Sequence, residues 1–202
     1  NQVCDAVRET GKRPMYWGDV LLAHPEWIEK LPKDGIFLNW NYAPNAEEER
    51  VSDMKAMGVT QVLCPGVHGW NHLLNLLDDA YANITRMCGF AHKYGAMGTL
   101  NADWGDFGHI NHPAFSLPGL ICGASASWSE NPLDREEFDK AVSAVEYGDA
   151  SGELMKALTQ ASASQCCSWR DMIHYMEVIR FGVFGQTEEE IYANLHYENA
   201  LQ

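Results

Sequence analysis

In Ile36-Phe37-Leu38-Asn39-Trp40, four of five residues are apolar, and the run closes on an indole followed by Asn41 and Tyr42. A strand with one wet face alternates apolar and polar side chains, whereas a strand covered on both faces reads as a nearly continuous apolar run. The stretch therefore predicts a buried, parallel strand. Three more runs have the same form: residues 14–18 (Pro-Met-Tyr-Trp-Gly) followed by Asp19, residues 61–67 (Gln-Val-Leu-Cys-Pro-Gly-Val) leading into His68-Gly69-Trp70-Asn71, and residues 97–102 (Met-Gly-Thr-Leu-Asn-Ala) leading into Asp103-Trp104-Gly105-Asp106.

Helices are expected between these strands. One covers about residues 1–10 and is stopped by Gly11. A brief one spans Pro25 to Leu31, one from Ala46 to Met57 carries a charged face of Glu47, Glu48, Glu49 and Arg50, and a long one runs from Asn71 to Tyr94. Gly58 and Gly95 close the last two. Strand starts lie about 22, 25 and 36 residues apart, around the roughly 31 per unit of a (β/α)8 barrel of about 250 residues. The expected fold is α/β, with four βα units forming half of such a TIM-type barrel. Beyond Gly108 the pattern turns helical: a small-residue run from Pro118 to Trp128, amphipathic stretches at Arg135 to Tyr147 and Gly152 to Ser164, and a segment from Thr187 to Asn199 opened by a capping-box pattern. Residues 1–130 are expected to form the half barrel, and residues 131–202 a helical C-terminal extension packed on it.

With 202 residues, 46% hydrophobic and 21% charged, the chain can bury a sizeable core. Its formal charge of −14 repels phosphate backbones and anionic membranes, so nucleic acid is not an expected partner. No stretch reaches the roughly 20 apolar residues of a membrane span. The six cysteines, Cys4, Cys64, Cys88, Cys122, Cys166 and Cys167, show no CxxC pattern and read as reduced, mostly buried thiols, which suits a cytoplasmic setting.

In parallel barrels the reactive groups gather at the carboxyl ends of the strands, where the four tryptophan motifs fall. Indoles stack on the C–H faces of sugars, and carboxylates accept from paired hydroxyls, so the motifs suit one carbohydrate pocket. Met15-Tyr16-Trp17-Gly18-Asp19, Leu38-Asn39-Trp40-Asn41-Tyr42 and above all Thr99-Leu100-Asn101-Ala102-Asp103-Trp104-Gly105-Asp106-Phe107-Gly108-His109 resemble the second half of a glycoside hydrolase family 20 barrel, strands five to eight of the β-N-acetylhexosaminidases. The resemblance implies a terminal N-acetylhexosamine as substrate and retaining hydrolysis assisted by the substrate's own acetamide. It also implies an adjacent Asp-Glu pair ending the fourth strand, with Asp orienting the acetamide and Glu protonating the leaving oxygen. This chain contains no Asp-Glu dipeptide, so the pair is expected just before Asn1 and no residue here is assigned as catalytic. Substrate-binding assignments are Trp104 as stacking platform, Asp106 as acceptor for hydroxyls, and Trp17, Trp40 and Trp70 as walls; Asp19, Tyr42 and His68 follow. The family has a tyrosine near its seventh strand, where this chain has His68-Gly69-Trp70.

Structural roles compete with these. A tryptophan can belong to the core, and Asp19, Asp103 or Asp106 can cap a helix. Trp27, Trp128 and Trp169 read as packing residues, and Glu47 to Glu49 as a solvated face. His68 and His72, or His109 and His112, have spacings seen in metal sites, but no HExxH accompanies them and neither metal nor cofactor is expected. A non-catalytic carbohydrate-binding half barrel is the alternative function. Because four parallel strands leave two open edges, the chain is expected to dimerise or to associate with the missing half.

Overall fold

The sheet forms where the apolar runs predict it. In the computed structural model, which describes residues 2–182, 187–193, 195, 196 and 198, β1 (Met15–Trp17), β2 (Ile36–Trp40), β3 (Thr60–Cys64) and β4 (Gly98–Thr99) pair in parallel in the order β1-β2-β3-β4. Tyr16 lies opposite Phe37, Leu38 opposite Val62, and Leu63 opposite Thr99, and a bridge between Gly66 and Ala102 continues the last pairing. The protein is thus a mixed α/β structure with a four-stranded parallel sheet and many helices. It divides into two units, each drawn from three stretches: residues 1–66, 82–102 and 122–132, and residues 67–81, 103–121 and 133–202.

The first unit holds the sheet. Alternation along the strands sends Tyr16, Phe37, Asn39, Gln61 and Leu63 to one face, and Met15, Trp17, Ile36, Leu38, Trp40, Val62 and Cys64 to the other. The first face is covered by α2 (Asp19–Ala23), a 3-10 helix (Pro25–Lys30), α3 (Glu49–Ala56) and α4 (Leu77–Tyr94), whose residues from Ala82 on belong here. Phe37 packs with Leu21, Met54 and Ile28, and Leu63 with Val51, Met87 and Ala91. Asn39 Nδ2 donates to Gln61 Oε1 at 2.9 Å, and Gln61 Nε2 donates to the Val51 carbonyl at 3.0 Å, tying the two polar strand residues to α3. The opposite face carries a cluster of strand residues alone: Ile36, Leu38, Val62 and Cys64, with Trp40 against them.

Burial on both faces holds for β2 and β3 and fails at the edges. Met15 and Trp17 on β1 are 51% and 38% exposed, because an edge strand lacks the second neighbour that closes its flank. The expected helix from Asn71 instead begins at Leu77, since Asn71 is left-handed (φ 63°) and cannot open a right-handed helix. Ahead of the sheet, α1 (Gln2–Glu9) ends as predicted at left-handed Gly11 and is fastened by Arg8, which pairs with Asp34.

The second unit is helical. It takes the first turn of α4, a 3-10 turn (Pro113–Ser116) and the start of α5 (Leu117–Trp128), then α6 (Arg135–Val145), α7 (Leu154–Ala163), α8 (Trp169–Phe181) and α9 (Glu188–Tyr192). The capping box at Thr187 forms as expected with Glu190, but α9 stops at Tyr192; of the remaining predicted stretch, residues 194, 197 and 199 lie outside the described residues. The helix α8 is not anticipated by the sequence reading. It opens on a second capping box, in which Ser168 and Asp171 satisfy each other's backbone N–H groups.

All six cysteines are free. Burial pushes the Cys64 thiol up to about 12 and the Cys88 thiol up to about 11, which leaves both as inert thiols. Trp128 is not a packing residue: it is 91% exposed at the end of α5. Among the described residues no helix is long and apolar enough to cross a membrane.

Candidate functional site

The sequence-predicted site residues fall into two groups, one in each unit. In the sheet unit, Trp17 and Trp40 are the last residues of β1 and β2, and the register places both on the same face. Asp19, exposed, is the first residue of α2 rather than its cap. Trp40 is engaged by its neighbours: its ring stacks on that of Tyr42, with centroids 5.3 Å apart and planes at 23°, and the Arg50 guanidinium carbon lies 5.4 Å from its ring centre. Tyr42 therefore supports the Trp40 ring.

Arg50 is the residue missed in this group. Read from the sequence only as part of a charged helix face, it is half-buried in the first turn of α3, and its Nε and Nη2 are enclosed without a hydrogen-bond partner. Burial pushes the guanidinium below its usual value, and the Asp19 carboxylate opposes that shift. The available signal was a lone cation directly after three glutamates, on the helix that follows Trp40. Glu48 in the same run is not simply solvated either: Lys93 and Tyr94 both donate to it, which holds its carboxyl below the usual range.

In the helical unit, Trp70 lies on the loop that leaves β3, and Trp104 and Asp106 lie on the loop that leaves β4. These two loops contain all three non-glycine residues with positive φ among the described residues: His68 (55°), Asn71 (63°) and Phe107 (55°). Such conformations cost about 1 kcal/mol or more each and persist only where surrounding contacts over-determine them. His68 is buried, its ring centre 5.0 Å from that of Trp70. Trp104 is 39% exposed and Asp106 is exposed.

A buried amide network supplies much of that over-determination. Asn75 Nδ2 donates to the Val67 carbonyl at 2.9 Å and to Ser116 Oγ at 3.1 Å, and Asn75 Oδ1 accepts from Asn111 Nδ2 at 2.8 Å. Asn111 Nδ2 also reaches the Gly69 carbonyl at 3.1 Å, and Ser162 Oγ donates to the Asn75 carbonyl at 2.6 Å. Gly69 is required here by space. A Cβ at that position would sit 2.9 Å from Asn75 Nδ2 and 3.0 Å from Asp103 Oδ1.

The loop bearing Trp104 is laced across its ends. His109 Nε2 lies 3.2 Å from Asp103 Oδ1, and its Nδ1 lies 3.2 Å from the Asn111 carbonyl. Asp103 is thus engaged with the His109 ring instead of capping a helix. His112 Nδ1 accepts from the Ala114 N–H at 3.2 Å and caps the 3-10 turn, and His72 is half-buried. Among the described residues no group of three or more His, Cys, Asp and Glu side chains comes together as a metal site. Asn75 and Asn111 left no trace in the sequence reading, because single asparagines in loops carry no spacing signal.

No family model, curated protein or solved structure matches the chain.

Proposed function

We propose that this chain is the second half of a (β/α)8 barrel in a glycoside hydrolase similar to the β-N-acetylhexosaminidases, acting on terminal N-acetylhexosamine residues. Its strands are those numbered five to eight in that family, and its catalytic Asp-Glu pair lies upstream. The observation that carries this reading is the placement of Trp104 and Asp106: an exposed indole and an exposed carboxylate share one loop after a parallel strand, and that loop and its neighbour hold the three left-handed non-glycine residues. Strained backbone at loop ends is characteristic of ligand sites. The sequential, parallel strand order and the one-sided helix cover also agree with a barrel segment.

Trp104 then stacks on the apolar face of the sugar, and Asp106 accepts hydrogen bonds from its hydroxyls. Trp70, from the same unit, enters as a wall, with His68 of lower rank; Trp17, Trp40, Asp19 and Tyr42 belong to the sheet unit. The reaction is retaining, with the substrate acetamide as nucleophile. Hydrolysis of a chromogenic N-acetylglucosaminide by the full-length protein tests this. Asp106→Ala is expected to lower kcat/KM about thirtyfold, the loss of a charged hydrogen bond to a hydroxyl, and Trp104→Ala about tenfold. Wild-type kinetics in both variants would remove the assignment.

The lack of an Asp-Glu dipeptide favours a second reading for the chain itself, a carbohydrate-binding half barrel without catalysis. Saturable binding of N-acetylglucosamine with no turnover by the full-length protein is its signature.

A further inference from the structure

We infer that Trp169, the first residue of α8, is a positioning residue that holds both candidate loops of the helical unit, the turn at Trp70-Asn71 and the loop at Trp104 to Phe107. The role in ligand binding rests on the proposed function above; the mechanical role does not.

Trp169 makes two donations to two separate loops. Its backbone N–H donates to the Asn71 carbonyl at 2.7 Å, and its indole Nε1–H donates to the Phe107 carbonyl at 3.2 Å. Both acceptors belong to left-handed residues, Asn71 at φ 63° and Phe107 at φ 55°. A bulky residue such as Phe107 reaches that region at a cost of about 1–2 kcal/mol, and Asn71 at less, so the conformation persists where surrounding contacts hold it. Trp169 supplies one such contact to each.

Its place on the helix explains why it can do so. The first N–H groups of a helix have no acceptor within the helix, so that of Trp169 is available to another segment. The Ser168–Asp171 capping box fixes where that N–H and the indole leave the helix. Farther along α8, the His174 ring meets the Phe107 ring edge-on, with centroids 5.5 Å apart and planes at 82°, so the helix grips the left-handed residue through both its carbonyl and its side chain. Trp169 lies 62 residues from Phe107 in sequence, and an indole outside any strand-end motif gives no sign of this function. A residue expected to serve packing alone therefore sets the geometry from which Trp70, Trp104 and Asp106 project.

Two substitutions separate the two donations. Trp169→Phe keeps an aromatic ring and removes the indole N–H. Trp169→Pro removes both donors while remaining compatible with the first position of a helix after an extended cap residue. Hydrogen exchange of the full chain, followed by mass spectrometry, is expected to show amides at residues 104–109 exchanging about fivefold faster in Trp169→Phe, with residues 69–73 unchanged, and both segments faster in Trp169→Pro. Strand β2 should keep its protection in both. In the full-length protein with chromogenic N-acetylglucosaminide, Trp169→Phe should raise KM about fivefold and leave kcat and the melting temperature near wild type, as displaced binding groups require. Unchanged exchange at 104–109 in Trp169→Phe, or at both segments in Trp169→Pro, overturns the inference. If the exchange pattern appears while the wild-type protein neither binds nor cleaves the sugar, the proposed function falls and the positioning role of Trp169 stands.

Discussion

Trp17 and Trp40 end strands, whereas Trp70 and Trp104 ride on loops, and the two pairs are held by different forces. The strand indoles take their direction from sheet register: Trp17 lies opposite Leu38, Trp40 opposite Cys64, and alternation settles the face. Apolar packing beneath them, at Met54, Leu63 and Phe37, maintains the register. The loop indoles have no register to follow. Their loops are shaped by Asn75, Asn111, His109 and Trp169 through hydrogen bonds to backbone carbonyls and one carboxylate. A site built on strands resists perturbation through its core; a site built on loops is only as well ordered as its buried polar network.

Removing the centre of that network should break the loop group most severely. Asn75→Ala strips three side-chain hydrogen bonds, taking one partner each from the Val67 carbonyl, Ser116 Oγ and Asn111 Nδ2. The expected loss is about 4 kcal/mol in denaturant unfolding, with hydrogen exchange rising first in the two loops. Met54→Ala is the matching test for the strand group. Met54 is fully buried beneath the sheet, and truncation should cost about 3 kcal/mol while loosening β2 rather than the loops. If both variants loosened both groups equally, the contrast between register and network would be lost.

Gly69→Ala should be milder, about 2 kcal/mol, because its new methyl group enters the space held by Asn75 Nδ2 and Asp103 Oδ1. Thermal unfolding measures it, and an effect near zero would show that the two side chains can move aside.

The smallest expected effect is a pH dependence in the same unit. Burial pushes the His72 ring below its ordinary value of 6.5, with Asp79 and Asp171 opposing. The unfolded chain then binds the proton more readily than the folded one, so the His72 contribution is intact above about 6.5 and is lost as pH falls toward the depressed folded value. Comparing denaturation midpoints at about pH 7.5 and about pH 5.5, His72→Gln should show a shallower decline than wild type. Equal slopes would remove His72 as a source of acid sensitivity.

The strands were legible in the sequence because continuous apolar runs ending in Gly or polar clusters have few alternatives in a parallel sheet. Residues 36–40 match β2 in full, and α1, α5 and α6 begin within a residue of expectation. That four strands leave two open edges followed from their number, but how far Met15 and Trp17 are uncovered did not, since the composition of Met15 to Trp17 is the same whether or not a neighbouring element covers it. The start of α8 was legible as well, because the Ser168 to Asp171 spacing is a capping-box pattern confined to four residues.

Local chemistry thus determined on its own which residue types close each strand, where glycines such as Gly11 and Gly95 end helices, and that the chain is acidic. Periodicity, steric limits and charge are properties of short segments and need no distant partner. Tertiary structure alone decided that Arg50 lies half-buried over Trp40, that Gly69 makes room for Asn75 and Asp103, and that Trp169 reaches Asn71 and Phe107. Each of these depends on which donor meets which acceptor, or which atom fills which space, across tens of residues, and no periodic pattern in the chain encodes that meeting.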